Sequence, residues 1–291
     1  MYIGRFAPTP SGPLHFGSII AALGSYLDAR KNSGRWLVRL DDLDDTRVKP
    51  GACDTILNTL ERLGLFWDGE VLYQSTRTDA YQHGLEYLKN CGLVYPCRCS
   101  RNALKGIKRY PGTCRNNLNP GERRHALRLF VNDCIILLED RIQGNISFNL
   151  AEETGDFVLL RSDNIFAYQL ASVIDDDWQM ITHIVRGADL IESTICQIYL
   201  QTRLDMPAPE YCHLPVAVKA DGRKISKTNR AQDALLYSTP EKVLLKAMKF
   251  LGFTLADELE NGTPAEIIQW GIDNWDLAKV PSTRQITVNL D

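Results

Sequence analysis

The sequence has no run of eighteen apolar residues, so nothing in it reads as a membrane-crossing helix. It has no internal repeat and no low-complexity segment, which excludes a solenoid or a linker-dominated chain. It also lacks a strong charge excess. With 33 basic and 36 acidic residues the net charge is −3, which excludes a surface coated for indiscriminate nucleic-acid binding. A candidate phosphate-binding turn starts within the first ten residues and leaves no room for a removable targeting peptide, so a cytoplasmic location is expected. Eight cysteines without a secretory signal read as thiols or ligands rather than disulfides. Of these, Cys53, Cys91, Cys134, Cys196 and Cys212 are scattered and read as small core residues or bystanders. At 291 residues the chain is long enough for one large or two modest domains with a substantial core.

What the sequence does contain is concentrated in Pro8-Thr9-Pro10-Ser11-Gly12-Pro13-Leu14-His15-Phe16-Gly17-Ser18. A strand candidate, Tyr2 to Ala7, runs into this turn, and a helix pattern with Ile19, Ile20, Leu23 and Leu27 on one face leaves it through Arg30. Three prolines stiffen the entry, Ser11 and Ser18 are candidate helix caps, and Gly17 leaves room for a ligand. A helix that opens after a strand offers free N–H groups and a positive dipole end, which suit phosphate oxygens. Far downstream, Asp221-Gly222-Arg223 opens a polar loop containing Lys224-Ile225-Ser226-Lys227-Thr228, a second possible source of positive charge.

Between these stretches, Trp36 to Leu40 reads as a buried strand that ends in the acidic run Asp41 to Asp45. Helices follow over about Ala52–Leu63 and Thr78–Cys91, with Gly64 and Gly92 as stops. The composition changes at Tyr95-Pro96-Cys97. From Cys97 to Phe130 nine basic residues (Arg98, Arg101, Lys105, Lys108, Arg109, Arg115, Arg123, Arg124, Arg128) face one acid, Glu122, an excess suited to a phosphate backbone. Strands are predicted at Ile135–Leu138, Ile142–Phe148 and Phe157–Arg161. Then come a helix over Phe166–Asp177 and a buried strand over Ile181–Gly187. The region after Thr239 is mainly helical, and the last dozen residues read as a loose tail.

The two marked stretches together resemble the paired signatures of class I aminoacyl-tRNA synthetases. His15-Phe16-Gly17-Ser18 is similar to the His-Ile-Gly-His motif, and Lys224 to Thr228 to Lys-Met-Ser-Lys-Ser. Arg5 to Gly12, Phe166-Ala167-Tyr168-Gln169-Leu170-Ala171, the Asp175-Asp176 pair and Val185-Arg186-Gly187-Ala188-Asp189 resemble the glutamyl branch, over about residues 3 to 230. Only about sixty residues follow the lysine loop, too few for the anticodon-reading region of a full synthetase of that branch. The shortened body and the His-Phe-Gly-Ser motif resemble the glutamyl-queuosine tRNA(Asp) synthetase family.

The resemblance implies an α/β fold: a Rossmann-like catalytic domain split by a small zinc-binding insert, with a short helical C-terminal region. The segments expected are 1–94 and 164–235 for the two catalytic halves, 95–163 for the insert and 236–291 for the helical region. It further implies a ligase that joins glutamate to AMP from ATP without tRNA, then esterifies the queuosine cyclopentenediol of tRNA(Asp). His15, Gly17, Ser18, Lys224 and Lys227 would serve ATP, with Mg²⁺ as neutraliser. Arg5 and Arg186 would meet the glutamate carboxylates as bidentate forks. Asp41 stands where the family usually has glutamate, one methylene shorter, which leaves room for a water before the ammonium. Tyr168 would contact substrate, and Phe6, Ala7, Pro8 and Thr9 would line the pocket.

Cys97, Cys99 and Cys114 make a tetrahedral zinc site that lacks one ligand. Spacing alone leaves the fourth open, with His125 a competitor; the resemblance implies Tyr110 and one structural zinc per chain. A monomer satisfies all of this. Two other functions stay open at this point: a shortened enzyme charging the 3′ end of tRNA(Glu), and a catalytically silent tRNA- or nucleotide-binding paralogue.

Overall fold

The computed structural model describes residues 1–116, 125–219, 221–222, 234–236 and 238–288. The loop from Lys224 to Thr228, with Arg123 and Arg124, lies outside the described residues.

The opening alternation Ile3/Phe6 forms β1 (Ile3–Phe6), which pairs in parallel with β2 (Arg35–Leu40). Between them runs α1 (Phe16–Lys31), and β2 pairs in parallel with the short β3 (Leu72–Tyr73). The crossovers to and from β3 carry α2 (Ala52–Arg62) and α3 (Thr78–Asn90). Period-two alternation sends Phe6, Trp36, Val38 and Leu40 to one apolar cluster, with Ile3 and Leu37 in the other.

The chain then forms a three-stranded antiparallel sheet from β4 (Val94–Cys97), β5 (Ala126–Leu129) and β8 (Val158–Leu160). The intervening hairpin, β6 (Ile135–Asp140) and β7 (Gly144–Asn149), is followed by one turn of helix, α4 (Leu150–Glu153). The hairpin does not stay with that sheet, because Asp140 pairs in parallel with Tyr211 of β10 (Glu210–Leu214). Next come α5 (Tyr168–Trp178), β9 (His183–Gly187) and α6 (Ile191–Leu204), giving a second sheet in the order β7-β6-β10-β9. Thr182 N–H donates to the Ile3 carbonyl at 2.9 Å, so this mixed sheet meets the parallel β1-β2-β3 sheet edge to edge at β1 and β9. Helices α1, α2, α7 (Pro240–Phe250) and α8 (Pro264–Asn274) pack on one face, and α3, α5 and α6 on the other.

Three local expectations need correction. The N-cap of α1 is His15, not Ser11 or Ser18: its Nδ1 accepts the Ser18 N–H at 3.2 Å. Helix α5 starts at Tyr168, because Phe166 is held in a β-bridge to Leu160 and Ala167 is extended. As far as Val288 the tail is not loose. β12 (Gln285–Thr287) pairs in parallel with β11 (Val216–Val218), and Ile286 and Val288 pack on the core. Gln285, Ile286 and Thr287 alternate outward, inward and outward, too short a pattern to stand out from a coil.

Candidate functional site

The C-terminal ends of β1 and β9 and the N-terminus of α1 converge on a cleft of about 390 Å³. It is lined by Arg5, Phe6, Ala7, Pro8, Thr9, His15, Gly17, Ser18, Tyr168 and Arg186, among others. Gly12 makes the approach possible: its φ of +138° lies where a side chain is strained. The turn delivers His15 in extended conformation, so its ring caps the helix while facing the cleft. Since Nδ1 accepts from Ser18 N–H, the neutral ring carries its proton on Nε2, 3.1 Å from Ser18 Oγ. His15 is therefore set as a hydrogen-bond donor beside the helix N-terminus, an arrangement suited to anionic oxygens.

Two arginines enter the same cleft in different electrical states. Arg5 is 3% exposed and gives both Nε and Nη2 to the Asp176 carboxylate at 3.1 Å each. Arg39 gives Nη1 to Asp176 at 2.6 Å and Nε to Asp41 at 2.9 Å. The four groups close into a buried cluster of zero net charge. Burial pushes the Asp176 carboxyl up, but Arg5 and Arg39 outweigh it and hold the group down at about 2. At Asp41 burial wins over Arg39, and its carboxyl lies above the ordinary range.

Arg186 differs. Its Nη1 donates to Tyr168 Oη at 3.0 Å, and its Nη2 to Thr194 Oγ1 and Gln197 Oε1 at 2.5 and 2.6 Å. Its Nε faces His213 Nε2 at 3.4 Å. All four partners are uncharged oxygens or an imidazole nitrogen, and no carboxylate pairs with Arg186 among the described residues. It is 4% exposed, and its positive charge has no carboxylate partner among the described residues. An anionic ligand group is what would balance it.

The expectation of two bidentate forks is corrected by this geometry. Arg5 has its Nε–Nη2 edge filled by Asp176, and Arg186 has Nε and both Nη2 hydrogens occupied. Each can present Nη1 to a ligand, not a fork. Asp41 borders an adjoining chamber of about 600 Å³, which shares Ala7, Thr9, Arg47, Tyr168 and Leu190 with the cleft. Phe157, Phe166 and Ile165 form its apolar wall, while Arg161 and Asp44 form an ion pair at 2.5 Å beside it.

A second constellation lies in the three-stranded sheet. Cys97, Cys99 and Cys114 place their sulfurs within 4.8 Å of one another, close enough to hold one metal ion. Tyr110 Oη is 3.3 Å from Cys97 Sγ and 3.7 Å from Cys99 Sγ, and Cys99 and Cys114 are 3.7 Å apart. For zinc–sulfur bonds near 2.3 Å a tetrahedron has edges of about 3.8 Å, so this donor set fits. His125 is not in the group. The Tyr110 oxygen already accepts from Cys114 N–H at 3.1 Å, and the Arg128 guanidinium lies 3.9 Å over its ring; without a metal, burial and the neighbouring thiols hold the phenol well above its ordinary range. Gly155 permits the packing, since a Cβ there would come within 2.7 Å of the Tyr110 carbonyl oxygen, at a φ of +70°.

The basic excess of this segment is also smaller at its surface than in its sequence. Arg128 is buried and Arg115 makes a bidentate pair with Asp156 at 2.6 Å on both arms. Arg98, Arg101, Lys105, Lys108 and Arg109 are exposed near the cysteines.

Sequence reasoning missed His213, Asp140, Thr194, Arg39 and the pairing of Asp176 with Arg5. The one available signal was an imidazole inside the buried run Tyr-Cys-His-Leu, where a polar side chain needs partners.

The model for tRNA synthetases class I (E and Q), catalytic domain, matches residues 3–279. The chain is 48% identical over 286 residues to the glutamyl-Q tRNA(Asp) synthetase of Ectopseudomonas mendocina, covering 98% of this chain and 97% of that protein. It is also 48% identical to the protein of that name from Thiobacillus denitrificans, over 96% and 95% of the two. Among solved structures, the glutamate-tRNA synthetase of Elizabethkingia anophelis superposes with a TM-score of 0.80 at 27% identity, over 99% of this chain and 68% of that one. The glutamate tRNA ligase of Elizabethkingia meningosepticum, in complex with its amino acid, gives 0.78 at 28%, over 97% and 66%.

Proposed function

The chain belongs to the class I tRNA synthetases of the E and Q type, a family of ligases, and from that membership we propose that it activates glutamate without tRNA. We propose that it then passes the glutamyl group to the queuosine cyclopentenediol at the wobble position of tRNA(Asp), the activity named for its relatives. The observation that carries the first step is the uncompensated Arg186 in the cleft into which α1 opens.

In that reading a glutamate carboxylate oxygen attacks the α-phosphorus of ATP, forming the acyl-phosphate bond as the bond to pyrophosphate breaks. Charge grows on the phosphoryl oxygens, so donors fixed in advance lower the barrier most. His15 Nε2–H and the backbone around Gly17 and Ser18 supply them from the helix side; Lys224 and Lys227 supply them from the loop that the family motif assigns to the nucleotide. Mg²⁺, when bound with ATP, neutralises phosphate charge. Arg186 Nη1 and the Tyr168 hydroxyl anchor the other carboxylate, Arg5 Nη1 assists, and Asp41 meets the ammonium. Phe6, Ala7, Pro8 and Thr9 shape the pocket through backbone and small surfaces.

In the transfer step a hydroxyl of the cyclopentenediol attacks the acyl carbon, AMP leaves, and the hydroxyl proton goes with it to solvent or phosphate. The adjoining chamber of about 600 Å³ has room for the incoming nucleoside, with Phe157 and Phe166 as stacking surfaces. Cys97, Cys99, Cys114 and Tyr110 would hold a structural zinc, which would brace the segment whose exposed basic residues lie against RNA phosphates. The proposed units are 1–94 and 164–235 for activation, 95–163 for RNA contact and 236–291 as helical support. The protein acts as a monomer in the cytoplasm.

The test is transfer of labelled glutamate to three RNAs: tRNA(Asp) with queuosine, tRNA(Asp) without it, and tRNA(Glu). Label on the first alone is expected. Label on tRNA(Glu) alone overturns the proposal in favour of 3′-end charging, and no label on any RNA indicates a silent paralogue.

A further inference from the structure

Arg186 is held on its buried side by a chain of polar groups that runs away from the cleft. His213 in β10 has no exposed surface, and neither side chain in its pairing with Asp140 of β6 reaches solvent. Its Nδ1 lies 2.6 Å from Asp140 Oδ2, and its Nε2 lies 2.8 Å from Thr194 Oγ1 and 3.4 Å from Arg186 Nε. The other Asp140 oxygen accepts the N–H groups of Ile142, Gln143 and His213 at 3.0, 2.8 and 3.2 Å, so the carboxylate cannot turn.

Proton inventory fixes the rest. A carboxylate with four such contacts only accepts, so His213 Nδ1 must carry a hydrogen. A guanidinium only donates, and the Thr194 hydroxyl has one hydrogen to place on either Nε2 at 2.8 Å or the Leu190 carbonyl at 3.0 Å; with Thr194 donating to the ring, a bare Nε2 accepts from both neighbours. The ring is therefore the neutral Nδ1–H tautomer, and a proton on Nε2 would point at Arg186. We infer that Asp140 and His213 are positioning residues for substrate recognition: Asp140 selects the His213 tautomer, whose bare Nε2 aims the Arg186 guanidinium so that Nη1 faces the cleft. This deepens the function proposed above, and rests on its assignment of a substrate carboxylate to Arg186.

The arrangement also couples two parts of the chain. Asp140 ends β6, which lies between β5 and β8 in sequence but joins β10 instead of their sheet, and so brings a carboxylate into the sheet behind the cleft. A merely structural Asp–His pair needs the same hydrogen on Nδ1 but is indifferent to whether Nε2 stays bare for Arg186. A positioning pair is sensitive to that choice.

Isosteric variants separate the two. Asp140→Asn keeps an oxygen for the three backbone N–H groups but turns an NH₂ toward Nδ1, forcing the hydrogen to Nε2 and against Arg186. His213→Asn can still donate toward Asp140 and leaves Arg186 Nε without an acceptor. His213→Gln keeps an acceptor for Arg186 and loses the Asp140 contact. In glutamate-dependent ATP–pyrophosphate exchange, Asp140→Asn and His213→Asn are expected to raise KM for glutamate about tenfold or more, the loss of one charge-assisted hydrogen bond. KM for ATP should stay within about twofold, and His213→Gln should fall between them and wild type. Equal KM for glutamate in wild type, Asp140→Asn and His213→Asn would overturn the inference. Nitrogen-15 spectra of histidine-labelled protein read the tautomer without any substrate. Wild type should show Nδ1–H at His213 and Asp140→Asn should show Nε2–H; Nε2–H in wild type refutes the relay even if the cleft activates nothing. Absence of exchange in wild type, with the Nδ1–H tautomer present, would instead sink the function and leave the relay standing.

Discussion

The activation cleft and the cysteine-bearing segment both bury charge, but with different support around it. At the cleft, Arg5, Arg39, Asp41 and Asp176 cancel one another between two large apolar clusters, and the buried Arg186, with no carboxylate partner among the described residues, is left to face the ligand. Around the cysteines the buried apolar cluster among the described residues is Tyr95, Cys97 and Tyr110. There Asp156 is the tie: it is 1% exposed and accepts from Arg115, from the Tyr95 hydroxyl and from Val131 N–H. Apolar packing holds the first region, so its charges are free to specialise in recognition. The second has little core of its own, and a metal with its ligands would supply what packing does not. The two regions should thus fail separately.

The sharpest break in that comparison is Arg186→Met. Removing a desolvated cation that meets a carboxylate costs about 2–5 kcal/mol, so kcat/KM for glutamate in exchange should fall by two to three orders of magnitude or so. Less than a tenfold loss would mean the charge is not a ligand anchor. Next, Lys227→Ala should lower kcat of exchange roughly a hundredfold with the melting temperature unchanged, since it removes a donor to developing charge. A variant that exchanges normally would remove the lysine loop from the mechanism.

How far these regions could be read from the chain differs for a physical reason. The turn before α1, the helix faces and the Cys97-x-Cys99 spacing are local patterns, and local patterns survive in one dimension. The partners of the arginines are not local. Arg5 meets Asp176 at a sequence separation of 171 and Asp140 meets His213 at 73, so which edge of each guanidinium is spent was not legible. His15 as cap, rather than Ser11 or Ser18, depended on a backbone rotation that no propensity scale encodes. The terminal strand β12 was hidden because its partner, β11, is itself only three residues long.

Smaller effects should sharpen the contrast. Cys99→Ser is expected to lose zinc, measured by metal analysis, and to lower the melting temperature by several degrees while exchange stays within about twofold of wild type. Transfer to RNA should fall more than exchange. Full metal content in this variant would refute the ligand set. Acid should loosen the cleft side instead. The Asp176 carboxyl sits at about 2 when folded and near its ordinary value when unfolded, so its contribution is complete above about pH 4. That contribution, about 2 kcal/mol, is lost as the pH falls toward 2, and Asp176→Asn should remove this part of the acid dependence in denaturant titrations between pH 5 and 2 or so.

Exchange of labelled pyrophosphate into ATP, with purified protein, glutamate and no RNA, tests the activation step most directly. Incorporation that requires glutamate and that aspartate or glutamine does not replace is the expected result. No incorporation until RNA is added, or incorporation indifferent to the amino acid, would contradict a cleft whose own charges suffice to select and activate its substrate.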